Sequence, residues 1–229
     1  MAKRNVIVSV VLVFLIVVST SFAADANWEF KSEKKGVKIY TRPLPGTPYP
    51  EMKAEFEGDI PFEVAVELGK DYENYHNWYG MTKELKPIKV RSAEDFDVYF
   101  VLAMPILSDR DAVLKVKINN DSAKGLFTVT MKSFENDYGK ENKLVRMPKV
   151  EGEFSVTRLS PTRSKIVYRV YADVTGSIPV KIVNIAATKH PLDTLIGAGE
   201  ELRKNHKENK YIQRANKLHN QNFVVSLPK

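Results

Sequence analysis

The chain contains no cysteine. That excludes a disulfide framework, a Cys-ligated zinc or iron–sulfur site, and a thiol nucleophile. Metal and catalytic signatures are also absent. The four histidines, His76, His190, His206 and His219, form no His-x-x-x-His pair, and there is no Gly-x-Ser-x-Gly elbow, phosphate-binding loop or His-Glu-x-x-His sequence. Nothing in the chain calls for a cofactor or a metal. Its charged fraction is 28% against 43% hydrophobic residues, too apolar for a disordered chain. Its 229 residues suit one domain or two small ones.

What is present begins with a secretory pattern. Lys3 and Arg4 precede an apolar run over 6–18, and Ser21-Phe22-Ala23 places small residues at the −3 and −1 positions of a cleavage site. Residues 1–23 are therefore expected to be a signal peptide cleaved after Ala23, with export to the periplasm. The alternative is an N-terminal anchor, for which a 13-residue apolar core is short of the roughly 20 residues a spanning helix needs. The remaining charge is uneven. From Arg203 onward seven basic residues face one acid, Glu208, so the end carries +6 while residues 24–202 sum to −1. The basic balance belongs to a tail and gives no reason to expect a nucleic-acid partner. The expected organisation is a domain over 24–206 followed by a basic tail over 207–229.

Most of the body alternates with period two. Seven segments, near 37–42, 51–58, 95–104, 110–118, 124–132, 151–157 and 165–173, each carry one apolar face, as half-buried antiparallel strands do. A weaker segment over 83–91 contains Pro87 and reads as an edge strand or irregular connection. Two short helices are expected over 61–69 and 72–78, after the second of these strands. One long helix should start after Ile178-Pro179, kinked by Pro191 and weakened by Gly197 and Gly199. A sheet of seven or eight strands with one apolar side, and a single long helix to cover it, makes an α+β protein in which the sheet grips the helix. Such a pair need not fill the space between them, so a ligand cavity is expected.

Several stretches, in order, carry a family resemblance. They are Trp28; Gly36-Val37-Lys38-Ile39-Tyr40-Thr41-Arg42; Trp78; Pro105-Ile106-Leu107-Ser108-Asp109-Arg110-Asp111; Val145-Arg146 followed by Gly152; and Asp173-Val174-Thr175-Gly176-Ser177-Ile178-Pro179 with Asn184 five residues on. Over these the chain resembles the START (StAR-related lipid-transfer) domains of the helix-grip fold. The resemblance implies one hydrophobic ligand, commonly a lipid, held between sheet and C-terminal helix, with the helix and nearby loops as gate. Steroid-binding members carry a cavity arginine six positions beyond the Arg of the Arg-Asp motif. Here that position is Val116, which argues against a sterol. Pro-x-Pro before that motif is reduced to Pro105 and Leu107.

The candidate ligand-binding residues are Phe100, Leu102, Leu114, Val116, Phe127, Val129, Phe154, Tyr168 and Val170 on the apolar strand faces, Ile182, Ile185, Ala186 and Lys189 on the helix, and Arg110. Tyr168 is the best polar candidate, because a buried phenol needs a partner. Arg110 reads first as part of a loop-fixing network. As a ligand contact it would need a carboxylate partner or an anionic headgroup. His76, beside Trp78, reads as packing or capping. In the tail, Tyr211, Ile212, Ala215 and Leu218 fall at helical spacing among cations, and Phe223-Val224-Val225-Ser226-Leu227 follows. That segment is either a helical extension of the domain or an amphipathic piece that contacts anionic membrane. The expected function is non-catalytic binding and carriage, or shielding, of one lipid. Alternatives are a cyclase or hydrolase on the same fold and a ligand-free interaction module. The carrier reading depends on an apolar void large enough for a guest.

Overall fold

The computed structural model describes residues 27–176, 178–204 and 208–227. The expected signal segment and its cleavage site lie outside the described residues. Among the described residues ten strands form one sheet: β1 (Glu29–Lys34), β2 (Val37–Arg42), β3 (Glu51–Gly58), β4 (Thr82–Ser92), β5 (Asp95–Leu102), β6 (Arg110–Asp121), β7 (Leu126–Ser133), β8 (Val145–Arg146), β9 (Lys149–Ser160) and β10 (Arg163–Asp173). Nine run in the order β1-β2-β3-β10-β9-β7-β6-β5-β4, and every neighbouring pair is antiparallel. The two-residue β8 joins β6 in parallel.

The count exceeds the expected seven or eight for clear reasons. β1 reads EFKSEK and buries none of its six side chains fully, so it has no apolar face to announce it. β8 is too short to show a period. β4 takes the edge position that Pro87 permits, and its ladder with β5 shifts register three times. The helical insertion consequently follows the third strand. It comprises α1 (Phe62–Lys70), started by Pro61, and a 3-10 turn over Tyr72–Asn77.

One expectation about β5 fails. Its outer face should be polar, but Tyr99 and Val101 are buried there with Val113, against Ile88 and Leu144. The loop after β7 covers them. Tyr138 stacks on Tyr99 at 5.1 Å, and a side chain on Gly139, at φ 79°, would run into the Tyr99 ring. Asp97 is buried as well and is held by a two-pronged bond from Arg91 at 2.6 and 2.8 Å.

The long helix α2 (Val180–Arg203) runs unbroken through Pro191 and both glycines. It bridges the sheet. Lys35, in the turn between β1 and β2, pairs with Glu200 at 3.2 Å, and His190 Nδ1 bonds the Gly80 carbonyl at 2.8 Å just before β4. The close fit at that second point needs two glycines. A Cβ on Gly197 would lie 2.4 Å from the Trp78 carbonyl, and one on Gly80 2.4 Å from the His190 carbonyl. Gly197 therefore serves packing, which outweighs its low helix propensity.

The C-terminal segment packs on the body. α3 (Lys210–His219) is capped by the Asn209 side chain, which accepts from the Tyr211 and Ile212 amides. Tyr211, Ile212 and Ala215 are buried, and the Tyr211 hydroxyl bonds Asp71 at 2.9 Å. Val225 is buried too, and Ser226 pairs with Asp59. Leu218, by contrast, is exposed. No helix among the described residues is long and apolar enough to cross a membrane.

Candidate functional site: an apolar cavity under the first half of the long helix

Strand parity puts Phe100, Leu102, Leu114, Met131, Val150, Tyr168 and Val170 on one face of the sheet. There, together with Tyr79, Met52, Met104 and Met147, they surround an apolar cavity. Val183, Ala186, Ala187 and His190 of α2 close it. These four follow i, i+3, i+4 and i+7, the spacing of one helix face.

Of the sequence-derived candidates, Phe100, Leu102, Leu114, Tyr168, Val170 and Ala186 line this space. The others pack elsewhere. Val116, Phe127, Val129 and Phe154 share the inward face but lie beneath other elements. Phe127 sits so tightly under α1 that a Cβ on Gly69 would strike its ring, and Phe154 packs on Trp78 at 6.1 Å. Parity fixes the face of a strand residue, while the covering element decides whether it meets a void or a neighbour. On α2 the expected face is one residue out of phase. Val183 lines the cavity where Ile182 was expected, Ile185 is exposed, and Lys189 pairs with Asp193 in solvent.

Arg110 does not line the cavity. It is buried, and donates Nε–H to the Val174 carbonyl at 3.1 Å and its other guanidinium N–H groups to the carbonyls of Ser108 and Thr175. It thus ties the loop after β5 to the segment leading into α2, the loop-fixing role. Asp111 points the other way, accepting two bonds from Arg146 at 2.8 and 2.9 Å and one from Tyr99. His76 is exposed, with Nδ1 3.1 Å from the Glu73 carbonyl.

The cavity differs from expectation most in size. Its volume is about 50 Å³. That accommodates a few waters, whereas sites for drug-sized ligands span about 300–1,000 Å³. Part of the reason is the lining. Met52, Met104, Met131 and Met147 extend long unbranched side chains into the space, and methionine adapts to irregular gaps. The guest-sized void expected from the sequence, on which the carrier reading was made to depend, is not present in the structure.

Three phenols are in the lining, and that of Tyr49 donates to the Gly176 carbonyl at 3.1 Å. The hydroxyls of Tyr79 and Tyr168 are hydrogen-bonded to each other, and Tyr168 Oη lies 3.0 Å from His190 Nε2. Burial pushes both phenols well above their ordinary pKa. Burial also lowers His190 from 6.5 to about 4, although its bond to Gly80 and the nearby Asp193 act the other way. The imidazole is therefore neutral at neutral pH. Tyr79 and His190 were not among the candidates. Tyr79 lies in an irregular segment with no period. The one available signal for His190 is a lone histidine beside a proline within the expected long helix.

No family model matches the chain. A protein of Pseudomonas aeruginosa known only as uncharacterized is 26% identical over 178 residues, covering 76% of this chain and 86% of its own length. Among solved structures, a STAR-related lipid transfer protein of Xanthomonas axonopodis superposes with a TM-score of 0.65 at 22% identity, over 77% of this chain and 99% of that one. Human StAR-related lipid transfer protein 5 gives 0.69 at 16% identity, over 80% and 90%. Human STARD10 gives 0.66 at 18% identity, over 90% and 85%. These likenesses match the observed architecture of a large antiparallel sheet and a long helix near the C-terminus. The chain has a START-like helix-grip fold.

Proposed function

We propose that this protein binds a single hydrophobic ligand, a lipid, between its sheet and the first half of α2, and carries or shields it without chemical change. The observation that carries this reading is the apolar cavity whose cover is the least firmly held part of its helix. From 181 to 189 only Ala187 is fully buried, while Lys181, Asn184, Ile185 and Lys189 are exposed. Structural neighbours named as lipid transfer proteins support the same reading.

Because the closed cavity is small, binding requires movement. Residues 180–189 swing away from the sheet, the four methionines change rotamer, and the guest occupies the enlarged space. Each Å² of apolar surface removed from water contributes about 25 cal/mol. Pro191 marks the pivot, since it has no N–H to offer the Ala187 carbonyl. The reading is non-catalytic. The buried phenols are far from ionising at neutral pH, and both His190 nitrogens already have partners. No cofactor or metal enters it.

Export belongs to the same proposal and rests on residues 1–23 alone: a signal peptide cleaved after Ala23 and a periplasmic protein. Contact with anionic membrane is a further part of the proposal. The buried side chains of α3 leave Arg214, Lys217 and the apolar Leu218 and Val224 exposed for it. Removing 207–229 would unfold packed structure. The suitable test is therefore flotation with phosphatidylglycerol vesicles of the Arg214→Glu/Lys217→Glu variant. Reduced, salt-sensitive flotation relative to the parent supports membrane contact, and equal flotation ends that part of the proposal.

The principal test is native mass spectrometry with organic extraction of the purified protein. A lipid bound one to one is expected. Empty protein that also fails to take up a fatty alcohol, acid or ester would overturn the reading.

A further inference from the structure

The polar groups at the end of the cavity have hydrogen-bond roles that follow one from another. The Gly80 carbonyl can only accept, so His190 Nδ1, 2.8 Å away, carries a proton. His190 is neutral, because burial holds its pKa near 4. Its Nε2 is therefore bare and accepts from the Tyr168 hydroxyl. Contact between the Tyr168 and Tyr79 oxygens needs one proton between them, and the Tyr168 proton is already committed, so Tyr79 donates. Met131 Sδ, 3.5 Å from Tyr79 Oη, is a weak acceptor that competes for the same proton and supplies none. The relay thus runs from Tyr79 to Tyr168 to His190 to Gly80. It ends on a Tyr79 oxygen that no donor approaches among the described residues, in a side chain that lines the cavity. A backbone carbonyl sets its direction, and the close approach of Gly80 to α2 holds that carbonyl in place.

We propose that this end of the cavity is a one-acceptor subsite that selects an amphiphile with a neutral hydroxyl headgroup, such as a fatty alcohol or an acylglycerol, over a fatty-acid carboxylate. The proposal rests on the binding reading above. A hydroxyl donates one hydrogen bond to Tyr79 and leaves nothing charged in apolar surroundings. An ionised carboxylate offers only acceptors, so it would set lone pair against lone pair while losing its hydration. An ester has no proton to give, and so reports on the chain alone.

The test compares 1-dodecanol, methyl dodecanoate and dodecanoate on the purified full chain after delipidation, by calorimetric titration at pH 7.5 below micellar concentrations. Dodecanol is expected to bind about tenfold or more tighter than either of the others, the worth of one buried hydrogen bond. Tyr79→Phe should bring dodecanol down to the ester and leave the ester unchanged. Tyr168→Phe frees the Tyr79 proton to face the cavity, so the ester and the acid should gain relative to the alcohol. Circular dichroism checks that each variant is folded, and if Tyr168→Phe is not, Tyr79→Phe decides alone. Equal affinities in the parent, or an alcohol preference that survives Tyr79→Phe, would overturn the headgroup rule and leave chain binding standing. Failure of all three probes to bind would overturn both.

Discussion

The two halves of α2 are one continuous helix held in different ways. Over 181–189, the side-chain hydrogen bonds among the described residues stay within the helix: Thr188 back-bonds the Asn184 and Ile185 carbonyls, and Lys189 pairs with Asp193. Over 190–203 the helix is fastened outward. His190 reaches Gly80 and Tyr168, Thr194 accepts from the Gly80 amide at 3.0 Å, Glu200 takes Lys35, and Leu195, Ala198 and Leu202 are buried. Pro191 sits where the two regimes meet. The contrast teaches that a lid and its anchor need no hinge loop between them. One missing N–H and a change in what the side chains grip are enough.

The sharpest way to break the contrast is acid. Folded His190 has its pKa at about 4 against 6.5 when unfolded, so below 6.5 the unfolded chain takes up a proton that the native anchor refuses. Stability should therefore fall as pH drops from about 6.5 to about 4. The loss should total about 3 kcal/mol, read from urea midpoints. His190→Phe should flatten that portion of the profile; an unchanged slope would mean that the anchor histidine is not buried. Next in size, Gly80→Ala or Gly197→Ala should cost about 1–3 kcal/mol by forcing the 78–80 segment off the anchor, seen as a lower Tm.

Arg110→Met acts on the other side of the comparison. It leaves the carbonyls of Ser108, Val174 and Thr175 without their donor, and should cost about 1–3 kcal/mol while speeding hydrogen exchange in 180–187 more than in 194–202. In the parent, amides of the first half should already exchange at least tenfold faster than those of the second, a gap of about 1.4 kcal/mol in opening energy. Equal protection along α2 would erase the distinction. The smallest effect is expected from Ile185→Ser, at an exposed lid position: a change in stability within about 0.5 kcal/mol.

What covers each element decides how much of it is legible in the sequence. Period-two alternation located β2, β3, β5, β6, β7, β9 and β10, because each presents an apolar face whatever covers it. β1 was invisible because it is charged and exposed, and the second face of β5 because Tyr99 is buried only by a loop more than thirty residues later in the chain. At the site, parity located Phe100, Leu114, Tyr168 and Val170. It also selected Phe127, which α1 covers, and Val129, which is buried away from the cavity. Helix phase is the least legible feature. Apolar residues occur nearly all round 182–187, so the sequence does not choose between the face holding Ile182 and Ile185 and the one holding Val183 and Ala187. Tyr79 and His190 follow no periodic rule. They meet only because the irregular 78–80 segment lies against α2.

The methionine lining has a chemical consequence. Thioethers oxidise to sulfoxides, which are polar, larger and chiral, and four of them ring a space that otherwise contains almost no polar atoms. A single oxygen atom added to Met131, beside the Tyr79 hydroxyl, would supply the strong acceptor that the sulfur is not, and would draw the phenolic proton away from Tyr168. Peroxide treatment would then rewrite the pocket's preference for its guest without altering one residue of the chain.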